Sequence, residues 1–261
     1  YYPYLRGKQF ELVMIREQAA NIAKWGFVPI IEPVRENFPA LKRALTALVD
    51  NNCQFILIVN PSVGQLVDGN GELRDQIFGD LLAGYDQLVT HVFVALQDAR
   101  LYRRQFGGVT RVLVEDGFKP QRNADYPSQE RFSDLYLTYE ESGEAFGDFL
   151  IVGDDFKEGG GPAFAIAIHL TYAESDADGE LHIKHYVSEK NDSAADPAGK
   201  FMEALAKLNS DVSEPDTKVY HSAAVTEYQR LYQRQHFPGL GYIKKLSMQH
   251  HMELMAHLLK R

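Results

Sequence analysis

One cysteine in 261 residues leaves no partner for an internal disulfide and too few thiolates for a cysteine-based zinc site. Cys53 stands just before the apolar run FILIV, which points to a small buried thiol, and no activating neighbour marks it as a nucleophile. The chain also lacks any apolar run near the ~20 residues that cross a bilayer, and its opening YYPYLRGKQF has no signal-peptide core. A cytoplasmic protein with no membrane attachment is therefore expected. Positive charge is scarce: 27 Lys and Arg against 36 Asp and Glu give a net charge of −9. That balance argues against nucleic acid as a partner, with Arg100, Arg103, Arg104 and Arg111 as the local exception.

Several signatures are missing too. No glycine fingerprint follows a strand, and Gly159–Gly161 lacks the lysine and hydroxyl of a phosphate-binding loop. Without a G-x-S-x-G elbow, Ser188 and Ser247 have no nucleophile context. AESDADGE looks like the start of a calcium loop, but His185 occupies the position of the closing glutamate, so it reads as a solvated turn.

What is present is an alternation of strand and helix. Phe10, Met14, Ile15 and Ala19 share one face of a helix that ends near Trp25–Gly26, and VPIIEPV follows as a strand carrying Glu32. A helix from Pro39 to about Asn51 leads to the strand FILIVNP, ending at Asn60. A helix over Glu72–Gln87 leads to HVFVALQD, ending at Asp98. A short basic helix then precedes TRVLVEDG, ending at Glu115 and Asp116. Both a doubly wound sheet and a barrel satisfy such repeats. The polar residue closing nearly every strand favours an irregular (β/α)8-type, TIM-like barrel in a single domain spanning residues 1–261.

The stretch from Asp148 to Tyr172 organises the rest. Its apolar runs Phe149–Val152 and Phe164–Ile168 read as covered strands closed by Asp154, Asp155 and His169. AESDADGE before LHIKHYVS predicts one antiparallel hairpin. Helices are expected at Phe201–Leu208, Ala223–Gln235 and Tyr242–Leu259. In the last of these, His250 and His251 diverge by ~100°, so one would face inward and the other solvent.

If the strands run parallel, Glu32, Asn60, Asp98, Glu115, Asp154, Asp155 and His169 converge on one rim. There Glu32, Asp154 and His169 would bind a divalent cation or perform acid–base chemistry, with Lys8 holding an anionic group. Against this stands the ordinary reason for polar strand ends, which is that loops are solvated and Asp or Asn caps the next helix.

Taken together, YYPYLRGKQFEL, VPIIEPV, LIVGDDF, AIHLTY and KKLSMQHHMELM resemble an uncharacterised bacterial family akin to the bacteriophage beta-protein family. Lys8, Glu11, Glu32, Asp154, His169, Tyr172, Ser247 and His250 coincide with its recurring blocks. The resemblance implies a barrel-like α/β fold, phage or mobile-element neighbourhoods and a small companion protein encoded nearby. It carries no established activity. Two readings follow. One is an anti-phage or conflict-system enzyme using Lys8, Glu32, Glu115, Asp154, His169 and His250. The other is a non-catalytic scaffold of the same fold that binds the companion or further copies of itself.

Overall fold

The computed structural model of the chain describes residues 1–36, 38–58, 61–67, 75–76, 92–93, 101–102, 112–115, 121, 125–133, 145–159, 163–174, 180–189 and 192–259. The chain divides into two compact units. One comprises Tyr1–Asp116 and Glu141–Leu150 together with Arg261, the other Gly117–Glu140 and Ile151–Lys260.

In the first unit, β1 (Tyr4–Leu5), β2 (Ile30–Ile31), β3 (Ile56–Ile58) and β4 (Val92–Phe93) form a parallel sheet in sequence order. Helix α1 (Gln9–Trp25) buries Met14, Ile15 and Ala19 of the expected stripe together with Leu12 and Ile22, while Phe10 is half-buried. It ends where Gly26 takes a left-handed φ of 66° and Phe27 N–H reaches back to the Ile22 carbonyl. Helix α2 (Phe38–Asp50) buries Leu41, Ala44, Leu45, Leu48 and Val49 at the same period. Cys53 is buried, and burial pushes its thiol up to about 12, so it packs rather than reacts.

A second sheet holds β5 (Leu101–Tyr102), β6 (Val112–Glu115) and β8 (Phe146–Asp148); β6 is antiparallel to β5 and parallel to β8. Tyr2 N–H donates to the Phe146 carbonyl at 2.9 Å, which brings the chain against Gly147. A Cβ on Gly147 would collide with the Tyr2 backbone carbonyl, an atom that cannot swing aside. Gly147→Ala is expected to cost about 2 kcal/mol or more in urea unfolding. A cost below 0.5 kcal/mol would mean that this approach is not tight.

The second unit is built on an antiparallel sheet in the order β7 (Gln129–Ser133), β10 (Leu181–Val187), β9 (Ala167–Ala173). Helices α3 (Pro197–Ser213), α4 (Ala223–Gln233) and α5 (Leu240–Leu258) complete it. Asp196 and Ser222 cap α3 and α4 by accepting from Gly199 and Val225 N–H. Ile168, Leu170 and Tyr186 of the sheet share a core with Phe201, Leu205 and Tyr228 of the helices. No helix among the described residues is long and apolar enough to cross a membrane.

This architecture corrects the TIM-like barrel. Among the described residues the strands form three small sheets, none of them closed, and β7, β9 and β10 are antiparallel. Polar residues at strand ends therefore do not mark one common rim. Two strand limits also differ. The run Phe149–Val152 is a buried turn rather than a strand. Asp148 Oδ1 accepts from Leu150 N–H at 2.8 Å, and Leu150 takes a positive φ of 50°. The strand expected over Phe164–Ile168 lies instead at Ala167–Ala173, so His169 sits inside it. The expected hairpin is present as the β9–β10 pair. Asn60, Asp98, Asp116 and the four arginines at 100, 103, 104 and 111 lie outside the described residues; of the helix expected over Glu72–Gln87, only Asp75 and Gln76 are described, both helical.

Candidate functional site

The six candidate catalytic residues divide between the units: Lys8, Glu32 and Glu115 in the first, Asp154, His169 and His250 in the second. Glu32 follows β2 and is only 1% exposed. Its Oε2 accepts from Tyr4 O–H at 2.8 Å and lies 3.6 Å from Arg6 Nε, while Oε1 accepts from Ser62 N–H at 2.7 Å and Ser62 O–H at 2.9 Å. The Arg6 guanidinium also lies 4.9 Å from the Phe149 ring centroid. This is a desolvated ion pair with the carboxylate surrounded by donors, an arrangement that fixes the loops after β1, β2 and β3. Lys8 stands at the N-cap of α1, its backbone N–H donating to Glu11 Oε2 at 3.3 Å. Glu115 ends β6 in register with Asp148; its side chain is outside the described residues.

In the second unit Asp154 is half-buried in a bend and Asp155 is exposed. His250 and His251 are both fully buried, which corrects the expectation that one faces solvent. The two diverge around α5, yet each meets protein. His250 Nε2–H donates to the Thr171 carbonyl at 2.8 Å and its Nδ1 accepts from Ser222 O–H at 2.8 Å. His251 Nδ1 lies 2.9 Å from Thr171 Oγ1, with its ring 5.1 Å from Phe132. Burial pulls His250 down to about 4, with its Thr171 bond opposing and His251 assisting. Both groups of His250 that can bond are thus used to pin α5 to β9 and to the cap of α4.

His169 has a different setting. It pairs directly with His185 across β9 and β10. His185 directs its backbone N–H to the Ser128 carbonyl on its other side (3.0 Å). Toward β9 it therefore occupies a non-hydrogen-bonded position, where facing side chains come closest. The two Nδ1 atoms are 2.8 Å apart. Behind them, His185 Nε2 lies 3.1 Å from Oε1 of Glu130, whose side chain is 38% exposed. Tyr126 covers the pair, stacked on His185 with ring centroids 4.7 Å apart and edge-on to His169 at 4.9 Å.

The chemistry of these atoms fixes the protons. Glu130, accessible to water, is an acceptor, so His185 carries its proton on Nε2 and presents a lone pair at Nδ1. The Nδ1 proton then belongs to His169, whose own lone pair lies on Nε2. Burial holds both imidazoles below their usual range, reinforced at His169 by the neighbouring ring and opposed at His185 by Glu130. Both are neutral at pH 7. The chain Glu130–His185–His169 can accept a proton at His169 Nε2 and spread the resulting charge toward the carboxylate.

The opposite face of the same sheet is occupied by a structural cluster. Lys184 Nζ donates to Asp211 Oδ2 at 2.8 Å, and Tyr186 O–H also donates to this carboxylate. Burial alone would raise Asp211, but the Lys184 and Tyr186 hydrogen bonds bring it below the usual range. The cluster locks α3 to β10.

Sequence reasoning selected His169 and missed its partners Glu130, His185 and Tyr126. A signal for His185 existed: the β9–β10 register is symmetric about Ala177, the centre of the turn AESDADGE, and folding the chain there opposes 169 to 185. Glu130 and Tyr126 come from the irregular middle segment, where no pattern pointed to a strand beside β10. Among the described residues no three His, Cys, Asp or Glu side chains are grouped as ligands for a metal ion, and this includes the set Glu32, Asp154 and His169. No family model, no curated protein and no solved structure matches this chain.

Proposed function

We propose that the chain is an acid–base enzyme whose proton acceptor is His169, oriented and charge-compensated by His185 and Glu130. The observation that carries this reading is the continuous contact from Glu130 through His185 to His169, 3.1 Å and then 2.8 Å, under the Tyr126 ring. A purely structural imidazole is better served by a backbone partner, as His250 is by Thr171. Two imidazoles in series with a carboxylate hold the ring still, leave one ring nitrogen unprotonated at pH 7 and give a proton taken up there a path toward the carboxylate, which is what a positioned proton acceptor needs. The motif resemblance supports a bacterial anti-phage or mobile-element setting in which the enzyme acts with a small companion protein.

The test is phage plating on bacteria that carry the chain with its adjacent gene. Protection is expected from the native sequence and is expected to fall at least tenfold with His169→Gln and with Glu130→Gln, at unchanged protein level and melting temperature. Full protection from both variants would sink the enzyme reading and favour a companion-binding scaffold, since that role needs the fold and not the proton relay.

A further inference from the structure

We infer that a proton taken up by the relay leaves its charge on His185, between the Glu130 carboxylate and the face of the Tyr126 ring, and that Tyr126 is a positioning residue for that charge. The point of entry, His169 Nε2, rests on the proton-relay reading. Where the charge ends, and what holds it there, goes beyond it.

The step conserves protons and charge. One proton binds the lone pair at His169 Nε2. The proton already on His169 Nδ1 then crosses the 2.8 Å hydrogen bond to the lone pair of His185 Nδ1. His169 is left neutral, with its proton on Nε2 and its Nδ1 accepting from His185. His185 carries protons on both nitrogens and the single positive charge.

Two contacts favour His185 over His169 as the resting place. His185 Nε2 lies 3.1 Å from Glu130 Oε1, so the charge forms on the ring that touches the carboxylate rather than one ring farther away. The Tyr126 ring lies nearly parallel to His185, with 22° between the planes and 4.7 Å between centroids, inside the ~6 Å at which an aromatic face attracts a cation. Its plane crosses that of His169 at 75°, without the stacked overlap. Tyr126 is held by its hydroxyl, which accepts from Gln121 N–H. Burial keeps the phenol above its usual range, so Tyr126 stays neutral and exchanges no proton with the pair. Burial also pulls His169 down to about 3, assisted by His185, whereas at His185 the carboxylate of Glu130 opposes burial. The titratable groups that meet the His185 ring are thus Glu130 on β7, His169 on β9 and Tyr126 ahead of β7.

The experiment is nitrogen NMR of the histidine rings of the native chain, titrated from pH 8 to pH 5. Ring nitrogens with a lone pair, with a proton and in an imidazolium have distinct shifts. Exchange averages the minor charged form into the signal, so the drift reports it well before the midpoint. On acidification His185 Nδ1 is expected to drift toward a protonated shift, while His169 Nδ1 drifts toward a lone-pair shift as its Nε2 gains the proton. Tyr126→Phe is expected to keep this drift, and Tyr126→Leu, which preserves an apolar cover without an aromatic face, to cut it about threefold at a given pH. Glu130→Gln is expected to cut it about tenfold. A ring that only excluded water would predict an equal or larger drift in Tyr126→Leu, and that result removes Tyr126 from the proposal. The native titration needs no variant to fold, and it overturns the proposal if His185 Nδ1 keeps its lone-pair shift throughout. Loss of phage protection in His169→Gln with His185 staying neutral would keep the enzyme and sink this assignment; charge on His185 with full protection from His169→Gln would do the reverse.

Discussion

Acidification from pH 7 to pH 4 is expected to lower the unfolding free energy by about 3 kcal/mol through His250 alone. In the folded chain its imidazole is held down to about 4, against an ordinary value of 6.5. Between those limits the unfolded chain binds a proton that the folded chain refuses. The stability is therefore complete above pH 6.5 and drains away as pH falls toward 4. A difference of 2.5 pH units at about 1.4 kcal/mol each sets the size. The cause is positional: the ring is fully buried, so a second ring proton would place a charge out of reach of water, and it would force the Ser222 hydroxyl to turn its own proton away from Nδ1. His250→Gln should be less stable at pH 7 by 1–3 kcal/mol, because Thr171 and Ser222 lose a well-placed partner. It should also show a flatter pH curve than the native chain. Parallel curves for the two proteins, in urea titrations from pH 7 to pH 4, would remove His250 as the source.

Glu32→Ala is expected to be the most destabilising single change, at about 3–5 kcal/mol. The substitution does more than delete one carboxylate. It leaves the Arg6 guanidinium buried beside Phe149 without its counter-charge, and strands Tyr4 O–H and the Ser62 N–H. The companion variant Arg6→Met with Glu32→Leu removes both charges and should recover more than half of the loss, since the pair is costly mainly when broken. Urea unfolding of the three proteins measures both statements. A loss below 1 kcal/mol for Glu32→Ala would mean that water reaches the pair and screens it.

The first unit was the more legible part of the chain. Parallel strands appear as uninterrupted apolar runs, as at β2 and β3, the stripe on α1 recurs at helical spacing and Pro39 marks the start of α2, whereas nothing in the pattern pointed to β1. The barrel failed for a reason the same patterns conceal. A continuous apolar run does not state strand direction, and it does not distinguish a strand from a buried turn such as Phe149–Val152, where Leu150 takes a backbone conformation unusual for its type. His169 was noticed because it interrupts an apolar stretch, but its chemistry depends on the residue opposite it and on Glu130 two strands away. Those relations belong to register, which composition does not carry. Likewise His250 and His251 looked like one inward and one outward residue, because helical geometry gives their divergence and not the protein packed on both sides of α5.

The division of the chain also bears on its synthesis. The first unit needs β8 to pair with β6, yet β8 emerges only after Gly117–Glu140, a piece of the other unit that contains β7. β7 in turn cannot pair until β10 has left the ribosome. The β6–β8 pairing is therefore finished only after a piece of the other unit has been made, and that piece, with β7, waits for its neighbour until residue 187 is exposed.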